Sequence, residues 1–155
     1  MISEIVEVSK LSLPVIAMAS VFIAWQQYSA NREKLRLDLY DRRFKIYDLV
    51  VHSIYNVQFG LGDYEGDEMT ALYTAFNEAK FLLPDDIYKV VKKAEINTQV
   101  HREFLRRRER LEGMPENESE LIKVQKAIEE LEPKLDSLRD ELTEAFSRVL
   151  KIKKF

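Results

Sequence analysis

The side chains able to do chemistry are few and scattered along the chain. Asp63, Glu65 and Asp67 alternate within the segment Gly60–Asp67 as oxygen ligands do in a calcium loop. The glycine at the sixth position and the glutamate at the twelfth that such a loop needs do not align, so the segment reads as a solvated acidic turn. His52 and His101 belong to no cluster with metal-ligand spacing, and there is no cysteine to complete one. No serine has an identifiable His and Asp partner, and no Gly-rich phosphate loop follows a strand. The sequence therefore leads to no catalytic residue, no cofactor and no metal, and the expectation is a protein that is not an enzyme. One charged run remains: Arg106-Arg107-Arg108 is a candidate contact for an anionic ligand. Its plainer role is to pair with a Glu-rich helix that follows it.

Composition narrows the class. The chain has 155 residues, of which 33% are charged, with four glycines and four prolines. Scarce Gly and Pro amid abundant Leu, Glu, Lys and Arg predict long helices. A net charge of -3 argues against a nucleic-acid partner.

The stretch that organises the reading is Leu11–Asn31, which has no charged side chain. Its roughly 21 residues make about 31 Å of helix, close to the ~30 Å of a bilayer's hydrocarbon core. The strongly apolar part, Leu11–Trp25, is only about 15 residues. Apolar residues surround this helix rather than forming a stripe. The sequence expectation is a transmembrane helix over about 9–29, with Pro14 near its start. Lys10 is the only base upstream, whereas Arg32, Lys34, Arg36, Arg42, Arg43 and Lys45 follow. The excess of downstream bases predicts an N-terminus outside and a cytoplasmic C-terminal domain. Trp25, Tyr28, Arg32, Lys34 and Arg36 would then be the lipid-facing interface, in contact with membrane lipids. The expected localisation is a bacterial inner membrane, crossed once.

Beyond the span, residues 30–155 read as helices over about 30–59, 68–83, 86–112 and 118–154. In the first, Leu37, Tyr40, Phe44, Tyr47, Val51 and Ile54 step by three and four residues, and Leu35, Leu39, Ile46, Val50 and Val57 form a second apolar line. Met69, Leu72, Tyr73, Phe76, Ala79 and Phe81 are the expected inward face of the second. Ile87, Val90, Val91, Ala94 and Ile96 begin the third, which Pro84, Asp85 and Asp86 start. The last carries the most regular pattern: Leu121, Val124, Ile128, Leu131, Leu135, Leu138, Leu142, Ala145, Val149 and Ile152. Pro133 falls inside it, off the seam, and predicts a kink or a local break. The short turn at 113–119 predicts an antiparallel hairpin that sets Arg102–Arg110 against Glu116, Glu118, Glu120, Glu129, Glu130 and Glu132. The tail Lys151–Phe155 complements a helix C-terminus and is suited to touch lipid.

Lys34-Leu-Arg-Leu-Asp-Leu-Tyr-Asp-Arg-Arg-Phe-Lys-Ile-Tyr47, placed directly after an apolar stretch ending in Trp25-Gln-Gln27, resembles a group of small, mostly uncharacterised single-pass bacterial membrane proteins. Glu78-Ala-Lys-Phe-Leu-Leu-Pro-Asp-Asp-Ile-Tyr88 is similar to a second recurring part of that group, although Leu83-Pro84 stands where Phe-Gly or Phe-Asp is usual. The resemblance spans residues 15–100 at most. It implies one membrane span with a helical cytoplasmic domain, and it brings no activity and no site residue.

The fold expected is all-α: one N-terminal transmembrane helix continuing into a cytoplasmic antiparallel helical bundle or coiled-coil hairpin. The expected function is non-enzymatic, with the helical module mediating homo-oligomerisation or scaffolding a helical protein partner. The alternative is a ligand-gated membrane effector that senses an anion through its arginines.

Overall fold

The structure, a computed structural model, describes residues 2–60, 66–112 and 115–150, with side chains described from Val15 onward and not at Pro115. Asp63, Glu65, the 113–114 turn, the tail Lys151–Phe155 and the side chains of Lys10 and Pro14 lie outside the described residues. The described chain is helical: α1 (Ile2–Phe59), α2 (Asp67–Leu82), α3 (Asp85–Leu111), a single 3-10 turn (Pro115–Asn117) and α4 (Glu118–Val149). It forms two compact units, one up to Leu39 and one from Tyr40 onward.

The second unit is a bundle of the carboxy-terminal part of α1 with α2, α3 and α4. Its core takes Ile46, Val50, Ile54 and Val57 from α1, and Leu72, Ala75, Phe76 and Ala79 from α2. Ile87, Val90, Val91 and Ala94 come from α3, and Leu135, Leu138, Leu142, Ala145 and Phe146 from α4. Polar contacts show that sequential helices alternate in direction. The Arg43 Nε donates to the Leu82 carbonyl at 2.8 Å, bringing the end of α2 back beside the start of the α1 contribution. Asp86 meets Arg148 at 3.1 Å and Lys93 meets Glu141 at 3.4 Å, so α3 and α4 run antiparallel. Gln58 reaches Asp136 at 3.2 Å while Tyr47 packs on Phe146, so α1 and α4 do too.

The connection between α2 and α3 is dictated by one dipeptide. Leu83 is extended (φ -110, ψ 149), as a residue before proline prefers, and its N–H still bonds the Ala79 carbonyl at 3.0 Å. Pro84 precedes the helix without needing a donor, and Asp85 and Asp86 place negative charge on the first turn of α3. Leu83 and Ile87 are buried together at this corner.

Three sequence expectations about faces change. On α1 the buried face takes Ile46, Val50 and Val57 from the second line and Ile54 from the aromatic line, while Leu35 (70%) and Phe44 (47%) are exposed. On α2 the inward face is Leu72, Ala75, Phe76 and Ala79; Tyr73 and Phe81 point outward, Phe81 being 82% exposed. The steps of three and four from Leu72 pass through Ala75 and Ala79, which leaves position 81 on the far side. Ile96 of α3 is likewise exposed, and Thr98 and His101 occupy the buried face instead. On α4 the helix passes Pro133 without a break.

The seam of α4 closes within the chain. Val124, Ile128 and Leu131 are buried along the α3–α4 hairpin, and Leu135 to Ala145 are buried in the bundle.

The transmembrane expectation is overturned. Among the described residues no helix is long and apolar enough to cross a membrane. Length is not what is lacking, since α1 has 58 residues. The strongly apolar run Leu11–Trp25 makes only about 22 Å of helix against the ~30 Å required, and Gln26 and Gln27 follow it. The inner-membrane localisation and the in–out orientation read from the basic flank fall with the span. Arg43 of that flank is instead a bundle residue bonded to Leu82.

Candidate functional site

The arginine run does not present three open charges. Arg107 pairs with Glu120 across the hairpin and Arg108 with Glu112 on its own helix at 3.3 Å. Arg110 meets Glu103 at 3.0 Å. Arg106, whose carbonyl accepts from the Arg110 Nε at 3.3 Å, lines with Arg102 a cleft of about 280 Å³ that also holds Asn56, Gly60 and Glu109. The α3–α4 turn carries another cleft of about 440 Å³, where Arg107 and Lys123 alternate with Glu116 and Glu120. The groove between α1 and α2 sets Arg42 and Lys45 opposite Asp67 and Glu78. In the last two, bases and acids are equal in number and cancel over a Debye length of about 8 Å; the first has one base in excess, so none is a strongly electropositive basin for a polyanion.

Among the described residues no three His, Asp or Glu side chains gather as a metal site. His101 is buried on α3, and neither ring nitrogen has a hydrogen-bond partner among the described residues. Burial pushes its imidazole below the ordinary value; Arg108 adds to that effect and Glu132 opposes it. Neighbouring Thr98 is satisfied by the Ala94 carbonyl at 2.9 Å and the Glu95 carbonyl at 3.0 Å. The spacing Ile87, Val91, Ala94, Thr98, His101 puts both polar residues on the seam of α3, and that spacing was available in the sequence.

The surface with the most unspent interaction energy is on the amino-terminal unit. Trp25 (64%) and Tyr28 (68%) are exposed, and the Trp25 ring lies beside that of Phe22 with centroids 6.3 Å apart. Arg32 and Lys34 are exposed, and Arg36 lies 3.4 Å from Glu33 one turn away. Of the five residues read as lipid-facing, Trp25, Tyr28, Arg32 and Arg36 fall on one side of the helix by their spacing and Lys34 on the other. What the sequence reading missed is a single line through them. Met18, Val21, Trp25, Tyr28, Arg32, Leu35 and Leu39 follow one another at steps of three and four residues. All but Leu39 are exposed. The pattern was legible, but residues 15–25 are apolar on nearly every side, and that hid the seam.

No family model, no curated protein and no solved structure matches this chain.

Proposed function

We propose that this protein is a non-catalytic assembly module, in which a self-contained helical bundle carries a docking helix that associates with another helix. The observation that carries the reading is the contrast between the two units. The bundle buries one continuous core, including the long seam of α4 that would otherwise be the natural place for chain–chain pairing, and its exposed large apolar residues, such as Phe59, Phe81 and Ile122, are spread over different helices. The amino-terminal unit instead leaves Val15, Ile16, Met18, Val21, Phe22, Ile23, Trp25, Tyr28 and Leu35 exposed. A contiguous apolar surface of this kind exceeds what a lone globular chain usually shows and marks an interaction surface.

The test is the mass of the full chain in solution at micromolar concentration, by sedimentation velocity, alone and with Val21→Glu and Leu35→Glu introduced together. Association that the two charges abolish, with helical content retained, supports the reading. A full chain that is monomeric throughout overturns homo-assembly, and a helical partner would then have to be shown by direct binding.

The effector reading draws less support. Arg107 and Arg108 are engaged with carboxylates, so an incoming anion would first have to break those pairs.

A further inference from the structure

The apolar line on the amino-terminal unit has a composition that selects its occupant. Six of its seven positions are apolar or aromatic, and the seventh is Arg32. In a parallel, in-register pair of these helices, Arg32 would face Arg32 across the seam, two like charges in a partly desolvated layer, which is unfavourable. In an antiparallel pair whose layers join residues summing to about 60, each layer sets one a-type position against one d-type position. Tyr28 then faces Arg32 of the other copy, Trp25 faces Leu35, and Val21 faces Leu39. The guanidinium of Arg32 lies over a tyrosine ring, an arrangement that attracts rather than repels. The charge that forbids one orientation thus becomes a specific contact in the other.

We infer that the occupant of this seam is a second copy of the same helix, packed antiparallel about residue 30 with Arg32 of each copy against Tyr28 of the other. The inference rests on the assembly reading above and specifies its partner. Surface area is sufficient. Aromatic side chains bring about 150–250 Å² each and aliphatic ones roughly 100 Å². With Met18, Val21, Phe22, Trp25, Tyr28 and Leu35 each 60–70% exposed, one copy offers on the order of 600 Å². Complete covering of these residues in two copies would bury at most roughly 1,200 Å², the lower edge of a specific interface. The expected complex is accordingly reversible, in the micromolar range.

Two properties of the chain make the test clean: Trp25 is its only tryptophan, and it has no cysteine. In the unmodified full chain, raising the concentration should shift Trp25 emission to the blue in step with dimer mass. Full-length Val21→Cys and Leu39→Cys are then prepared separately, oxidised alone, and oxidised after mixing. In the antiparallel pair Val21 and Leu39 share a layer within disulfide reach, whereas Val21 lies about 27 Å from its own copy. The expected result is a mixed disulfide several-fold above either self-disulfide. A Val21 self-disulfide that dominates would overturn the antiparallel pairing. An associated chain with Trp25 still exposed and no mixed disulfide would leave the assembly reading standing and remove this seam from it. A monomer at all concentrations would remove both. A blue shift seen only on adding phosphatidylcholine–phosphatidylglycerol vesicles would show that lipid, not a second copy, covers the seam, and would overturn the inference.

Discussion

The Arg43 guanidinium donates from Nε to the Leu82 carbonyl oxygen at 2.8 Å, joining α1 to the last turn of α2. That carbonyl is one of the four that a helix end leaves without an internal partner, and the end also carries partial negative charge. A charged donor placed there satisfies both needs. Leu83 and Ile87 are buried at the same corner, so the bond fixes the point where the chain reverses.

Arg43→Met keeps much of the aliphatic stem and deletes the donor. A hydrogen bond from a charged group contributes about 1.5–3 kcal/mol, and partial exposure places this one near the lower figure. The expected outcome is a lower urea midpoint with an unchanged slope. By contrast Lys93→Ala, which removes a surface pair with Glu141 at 3.4 Å, should change stability by less than about 1 kcal/mol. Equal effects from the two would show that the Arg43 bond contributes no more than a surface pair.

Phe146 is buried in the bundle core with its ring centroid 5.2 Å from that of Tyr47. Phe146→Ala removes both burial and the ring contact and should cost about 3–5 kcal/mol. Tyr47→Phe deletes only the hydroxyl contact with Thr143, 3.2 Å away and exposed, and should cost under about 1 kcal/mol. Thermal melts of the two variants measure the difference.

His101 makes the bundle acid-sensitive. Burial depresses its pKa in the folded state, so the unfolded chain binds the proton more readily. The contribution of the neutral imidazole is fully present above the ordinary histidine value of about 6.5 and is lost as pH falls below it. Urea midpoints should therefore drop between about pH 7 and pH 5. His101→Leu keeps a buried apolar side chain and removes the titration, so the variant's midpoint should fall less over the same range. Equal slopes for both proteins would assign the acid sensitivity to other groups.

Pro133 is exposed in the middle of α4 and cannot donate to the carbonyl of Glu129. Pro133→Ala restores that bond without touching the core. A proline in a helix interior costs up to about 3 kcal/mol relative to alanine. The melting temperature should rise, and hydrogen exchange at residues 130–134 should slow. A drop in melting temperature would mean that the proline contributes to the fit of α4 against α3.

Much of the helical content was readable from residue spacing and punctuation. Gly60 and Gly66 both have positive φ and bracket the stop of α1 and the start of α2, and Leu83-Pro84 separates α2 from α3. The α4 seam from Val124 to Ala145 is buried at every position its spacing marks. The line from Met18 to Leu35 is different: its spacing was present, but only exposure in the folded chain separates it from the buried lines.

These signals are local, because a helix's period and its caps depend on residues a few positions apart. Which apolar line each helix buries is a relation between helices. Two lines on α1 compete, and the bundle covers a face drawn from both, Ile46, Val50 and Val57 of one with Ile54 of the other. Phe81 is as apolar as Phe76, yet only one of them has a neighbour. Whether the α4 seam closes within one chain or between two was equally open until α3 was seen lying along it. The helices and their periods follow from the sequence by itself; the tertiary structure decided which faces are spent on the chain's own core and which remain exposed.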